Sequence, residues 1–429
     1  MWSSAAPIDV RAACVAHLLD DPDAAGQMDA RAMANLMLPT ERSRTVVSVI
    51  AARAGQYGWK EMTSALVRSY ARPVEGVEDD QRAERVALMQ LHPDRPLAEV
   101  LFEVFLDPGY EDTPAELRLN QRTRADVWDL LGRVDESGAL RRGLIQRAQA
   151  GDVPDSTRAS VRALQRALEN LSVVPRTGDE LRWIESLNNG SAENERWWSQ
   201  ASGAVSALSG DRGAGLEMRH IEPIRWASQH RPELLARSRE ELLDELSRAV
   251  EGRTHVKRTA EQRVLDQPRR ERLSDWAAQL TWSDLVAIHV IDIASRDPGV
   301  VKRLYEQVDI DRQDRTTEYG GVIEPSEGSS FRILLFRPRV RDRNSDTEFV
   351  ASEDMIRYAD RALAFYHQHV QSGAESKHAG PSEADLVYAA RSGRSCVVFT
   401  AVGKSGLNVD YYQPNGVVID LGTVGDAEP

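Results

Sequence analysis

The sequence predicts a multidomain chain with an all-α N-terminal region and a smaller α+β C-terminal domain. Two observations predict this split. Apolar residues recur at helical spacing through roughly residues 1–300, and short strand-like runs divided by turn residues take over from 305 to 429. A third observation agrees: all nine tryptophans fall between Trp2 and Trp282. At 429 residues there is room for two or three domains, and a break near 175 would divide the helical platform into two subdomains.

The helices can be justified in order. Val161, Leu164, Leu168 and Leu171 make one apolar stripe over 156–171, with Asp155 or Ser156 at its start and Pro175 just past its end. Leu242, Leu243, Leu246 and Val250 make a second over 239–250. Ser238 is its N-cap, and Gly252 stands where a left-handed terminator belongs. The run 274–294 divides into two helices near Thr281, Trp282 and Ser283. Turn-forming clusters at 188–191 and 209–215 punctuate the region. Trp197 and Trp198 read as packing anchors between helices rather than as a binding surface. No fixed period persists, so the platform is an irregular stack of helical hairpins, with a HEAT-like solenoid the nearest regular architecture.

Strands are expected at 316–323, 331–336, 365–370, 395–402, 407–412 and 417–421. Gln413, Pro414, Asn415 and Gly416 form a turn that makes the last two a hairpin. One helix starts after Ser352, with Met355, Ile356, Ala359 and Leu363 on one face, and another starts at Ser382. This mixture is an α+β pattern of normal domain size.

Composition excludes some functions. A net charge of −13 speaks against a nucleic-acid backbone binder, and the arginines at 269–270 and 337–343 read as solvated surface. Cys14 and Cys396 lie far apart in apolar surroundings, as small core residues rather than a disulfide or a sulfur-rich metal site. The first nine residues lack a basic region followed by an apolar core. The most apolar run, Leu285 to Ala294, is too short to span a bilayer. A cytoplasmic protein with no membrane partner is the expectation.

The chemistry gathers in the last third. Residues two apart on a strand face the same side, so His367 and His369 point together while Gln368 points away. Asp385, in the first turn of the following helix, supplies a third ligand. Three protein ligands on zinc leave a tetrahedral position for water, whose proton a nearby carboxylate must take, and Glu318 is the candidate. The Ser382 hydroxyl is a candidate oxyanion donor. Each piece also has a structural explanation. Ser382 and Asp385 match a capping box, and strand histidines can be satisfied by hydrogen bonds. A three-histidine site using His378 is conceivable, but a helix start holds Asp385 more rigidly than the 373–380 loop would hold His378.

The order Glu318-Tyr319-Gly320-Gly321, then His367-Gln368-His369, then Pro381-Ser382-Glu383-Ala384-Asp385 resembles the JAMM metalloprotease family, also called MPN or JAB domains. The resemblance covers roughly residues 305 to 425. It implies zinc bound by His367, His369 and Asp385, with Glu318 as general acid/base and Ser382 assisting the tetrahedral intermediate. It also implies hydrolysis of a peptide or isopeptide bond in a protein or peptide substrate, often at the C-terminus of a ubiquitin-like conjugate. The chain departs from the family pattern in having Gln368 between the histidines and Val370 after them. The insertion before Ser382 is also longer, and residues 408–422 have no matched counterpart. A non-catalytic MPN-like scaffold and a metal hydrolase acting on a small molecule or nucleotide are the rival readings.

Overall fold

The computed structural model describes residues 6–74, 76–109, 119–149, 151, 153–256, 270–343, 345, 349–370, 379–402 and 406–425. Packing divides the chain into two compact units. One comprises Met1–Gln165 with Val174–Glu185, and the other Arg166–Val173 with Ser186–Pro429. The change from helix to strand after residue 300 therefore lies inside the second unit.

The first unit is helical. Its helices Arg44–Tyr57, Thr63–Ala71 and Ala83–Leu91 pack on one another. They enclose Glu84, whose carboxylate accepts hydrogen bonds from Arg44, Ser69 and Arg82. The helix Asp155–Leu171 forms as its stripe predicts, with Val161, Leu164, Leu168 and Leu171 buried; its residues from Arg166 on belong to the second unit. No helix among the described residues is long and apolar enough to cross a membrane.

In the second unit, Ser238 caps the helix Arg239–Glu251 through a capping box with Glu241. Gly252 has φ of −76°, so this helix does not end in the left-handed residue that the sequence suggested. The run 274–294 does divide, into Leu273–Trp276 and Trp282–Ser295. Trp197 and Trp198 are buried and meet edge to face. Cys396 is buried, whereas Cys14, in the first unit, is only half-buried.

Six strands form one mixed sheet: β1 (Gly320–Pro325), β2 (Phe331–Leu335), β3 (Ala364–His369), β4 (Cys396–Ala401), β5 (Leu407–Tyr412) and β6 (Val418–Val424). Their order across the sheet is β2-β1-β3-β4-β5-β6. Only the β3–β4 pair is parallel; the other neighbours are antiparallel. A parallel pair needs a crossover, and the helix Glu383–Ser392 supplies it. One face of the sheet presents Val322, Phe365, Cys396, Val398 and Tyr412. These pack with Met355 and Ala359, on and just past the helix Glu353–Tyr358, and with Ala389 of the crossover helix. The other face carries Phe331, Tyr366 and Tyr411. It meets the helices Met218–His230, through a Trp226–Phe331 ring contact of 4.7 Å, and Pro298–Asp311, through a Tyr366 hydroxyl bond to Gln307.

A buried ionic cluster pins that second face. Arg219 reaches Asp284 at 2.5 Å and Gln413 at 3.0 Å, and Gln413 in turn accepts from the Tyr411 hydroxyl at 2.8 Å. Burial alone would raise the Asp284 pKa. The His220 and Arg219 contacts outweigh it and hold the carboxyl well below its ordinary range. Stability from this depression is present above the ordinary carboxylate pKa of about 4 and is lost as pH falls below it. Arg219→Met leaves Asp284 buried without its cation, and urea melts are expected to show a loss of about 3–5 kcal/mol at neutral pH. Asp284→Asn is expected to flatten the acid side of the stability profile.

Candidate metal centre

Because β3 and β4 run parallel, the carboxyl end of β3 and the amino end of the crossover helix come to the same end of the sheet. That end is where open α/β arrangements bind ligands. Here β3 finishes on His369 and the helix begins at Glu383 with Ser382 as its cap.

β1 completes the site from the other side. Gly320 pairs with His367 and Gly321 with Tyr366, and the Gln368 amide donates to the Tyr319 carbonyl at 2.9 Å. This pairing carries the alternation back to Glu318, on the histidine side and two residues ahead of the strand itself. The glycines permit the approach. A Cβ at Gly320 would strike the Tyr366 carbonyl oxygen and come within 2.8 Å of the Phe349 ring; one at Gly321 would strike the Leu334 carbonyl.

Three of the expected groups converge, and Asp385, expected as the third ligand, reaches His367 alone among them. Glu318, His367 and His369 each offer a ligand atom within 4.8 Å of the other two. The two Nε2 atoms are 3.1 Å apart, His369 Nε2 is 3.5 Å from Glu318 Oε1, and His367 Nε2 is 3.5 Å from Asp385 Oδ2. Two donors on one tetrahedral zinc with bonds of about 2.0–2.1 Å stand about 3.3–3.4 Å apart. All three separations lie close to that value, so Glu318, His367 and His369 fit a divalent ion; Asp385 meets His367 but is not among the donors that lie within 4.8 Å of one another. The His367 side chain is 3% exposed, His369 11%, Glu318 9% and Asp385 20%, so the donors are largely withdrawn from solvent and Asp385 the least so.

Asp385 serves two ends. Its Oδ2 accepts from the Ser382 amide at 2.7 Å and from the Ser382 hydroxyl at 2.7 Å, while Ser382 Oγ accepts from the Asp385 amide at 3.3 Å. The capping box is therefore formed, and its carboxylate is also the one that meets His367. The Ser382 proton is directed at Asp385, so donation to an oxyanion requires that bond to be exchanged. Burial would raise the Asp385 pKa, but His367 and Ser382 hold it well below the carboxylate range. Burial would lower the His367 pKa; the carboxylates of Asp385, Glu318 and Asp311 outweigh it and raise it. Such electrostatics suit a cation between the carboxylates. His378 lies outside the described residues, as do Gly373 and Ser376 of the insertion.

Sequence reasoning missed several supporting groups. Phe349 lies parallel to the His367 ring at 6.1 Å, Tyr412 meets it edge-on at 6.4 Å, and the Tyr319 amide donates to Asp311 at 3.4 Å beside Glu318. Arg312 Nε holds the Val370 carbonyl at 3.1 Å, fixing the end of β3. Among the arginines of 337–343, Arg343 pairs with Asp314 at 3.0 Å and Arg337 lies over the Tyr319 ring.

No protein-family model, curated protein or solved structure matches this chain. Gly321→Ala tests the backbone approach. It is expected to cost about 1–3 kcal/mol in a denaturant melt and to weaken zinc binding in a chelator competition, because β1 must shift away from β2.

Proposed function

We propose that this chain is a zinc-dependent hydrolase of the JAMM type that cleaves a peptide or isopeptide bond in a protein or peptide substrate, with a ubiquitin-like conjugate as the model case. The observation that carries this reading is the meeting of Glu318, His367 and His369, each with a ligand atom within 4.8 Å of the other two, with Asp385 3.5 Å from His367.

His367, His369 and Asp385 would hold the ion. When bound, zinc acts as a Lewis acid toward a carbonyl oxygen and brings the pKa of water from about 15.7 towards 7. The chain's own groups do the remaining work. Glu318 takes a proton from the water that attacks the carbonyl carbon and returns it to the nitrogen as the C–N bond breaks. Ser382 donates to the oxyanion once its proton turns from Asp385. Burial of His367 and Glu318 keeps bulk water away and strengthens each charge contact. The helical region selects or presents the substrate.

Glu318→Gln removes the base and keeps the shape. It is expected to retain one zinc per chain by elemental analysis while turnover of an isopeptide-linked conjugate falls at least about 10²-fold. Normal turnover in that variant would refute the mechanism. His367→Ala should lose the zinc itself.

The capping box favours a second reading, a non-catalytic MPN-like scaffold, because Ser382 already satisfies Asp385. Protein purified without added zinc discriminates the two. Stoichiometric metal supports the hydrolase, and an intact fold with little metal supports the scaffold.

A further inference from the structure

Two arginines stand at the end of the sheet that carries the metal centre. Val370 directly follows His369, and Arg312 Nε donates to its carbonyl at 3.1 Å from just past the helix Pro298–Asp311. The Phe336 amide donates to the Gly320 carbonyl at 2.9 Å, which brings the next residue, Arg337, beside the start of β1. There the Arg337 guanidinium lies 5.4 Å from the centre of the Tyr319 ring, and Tyr319 directly follows Glu318.

These two differ from the arginines around them. Arg343 pairs with Asp314 at 3.0 Å, Arg332 with Glu324 at 2.6 Å and Arg339 with Glu353 at 3.6 Å. Asp314 also accepts from the Thr316 and Tyr319 hydroxyls, so it is fully engaged. Arg312 and Arg337 rest instead on a carbonyl and a ring face, and among the described residues neither forms an ion pair. Arg312 is half-buried and Arg337 is exposed. A guanidinium held through Nε alone keeps its two terminal amino groups for a carboxylate, which it can grip with two parallel bonds. The amount of charge selects the partner. Two unanswered cations match one or two carboxylates, whereas a nucleic-acid backbone needs a longer basic track and is opposed by the net charge of −13.

We propose that Arg312 and Arg337 form a docking rim for an acidic side chain of the substrate, about three residues from the scissile bond. This rests on the hydrolase reading and narrows its substrate. The spacing follows from the sheet. The end of β2 is two strands from β3, about 10 Å, and an extended peptide covers that distance in about three residues. Alternation turns Tyr319 away from the histidine face, so the arginines border the ligands without joining them. A substrate chain laid across the end of the sheet reaches both from solvent, because Arg337 is exposed.

The test is fluorescence anisotropy of the full chain with end-blocked octapeptides of glycine and alanine that carry one glutamate, scanned through the positions, against their glutamine counterparts. At one or more positions the glutamate peptide is expected to bind at least about fivefold more tightly at low salt, and less so as salt rises. Arg337→Gln, at an exposed position, and Arg312→Met should each reduce that preference at least about twofold. Arg337→Glu should turn it toward a lysine-bearing peptide, which a loss of shape alone would not do. No measurable binding, equal affinity at every position, or a preference undiminished in both Arg337→Gln and Arg312→Met would overturn the rim. Tighter binding of oligothymidylate than of any glutamate peptide would overturn the choice of a peptide partner. Zinc content and conjugate turnover measured on the same samples separate the two ideas. An acidic preference in protein that cannot hold zinc supports the rim and sinks the hydrolase. Bound zinc and turnover with no preference sink the rim alone.

Discussion

The contact between Asp385 and His367 ties the first turn of a helix to the last turns of a strand, and the rest of the candidate site is arranged around that tie. It follows from the one parallel pair in the sheet. A chain that leaves β3 and must re-enter alongside it needs a crossover helix, and the start of that helix then lies near the strand's end. The capping box fixes where the Asp385 side chain goes, because two bonds from Ser382 hold Oδ2 before any ligand is considered. A rigid carboxylate 3.5 Å from an imidazole has been positioned by the ordinary requirements of a helix N-terminus. The structural and chemical explanations of this motif are thus not rivals. The cap makes the ligand precise in direction, as a site built on regular elements needs.

Glu318 is held by different means. No helix points it inward; backbone approach does. Gly320 and Gly321 let β1 sit between β2 and β3 with carbonyls where a Cβ would otherwise be. Farther across the sheet, the end of β5 and β6 are clamped by guanidinium groups. Arg219 joins Asp284 to Gln413, and Arg253 joins Asp292 to the Leu421 carbonyl at 2.7–2.8 Å. Buried ion pairs of this kind contribute uncertain net stability, but removing one partner is costly, so they fix the strands against sliding. A one-residue slip of β3 would send both histidines to the opposite face.

Much of this was legible in the sequence. Every expected strand is present within a few residues, because alternation and turn chemistry are local signals. The His367–His369 pair was legible because a period of two needs no partner strand to interpret. Glu318 was harder to place. It precedes β1, and only the Gln368–Tyr319 backbone bond shows that pairing extends to it. Gly252 misled because glycine permits a left-handed residue without requiring one. Thr400, Asn408 and Asp410 gave no signal. Each looks like an ordinary strand residue, and only the hydrogen-bond register reveals that Thr400 and Asn408 lie in one row with His369 and Asp410 in the next, with His367. Phe349 and Asp311 stayed hidden for the same reason, since tertiary contact alone brings them to the histidines.

The energetics of that face bear on why it exists. A sheet interior gains stability by burying apolar area at about 25 cal/mol per Å², and every polar residue placed there forgoes that gain and loses hydration. The face that carries Glu318, His367 and His369 also buries Thr400, Asn408 and Asp410, whereas Phe365, Cys396 and Tyr412 on the same face belong to the hydrophobic core. A ligand that recognises only the folded state returns such lost stability in proportion to its own affinity. The same reasoning applies to the histidines, whose Nε2 atoms face each other at 3.1 Å and require either a shared proton or a shared cation. Two carboxylates, Asp385 at His367 and Glu318 at His369, favour positive charge at that pair.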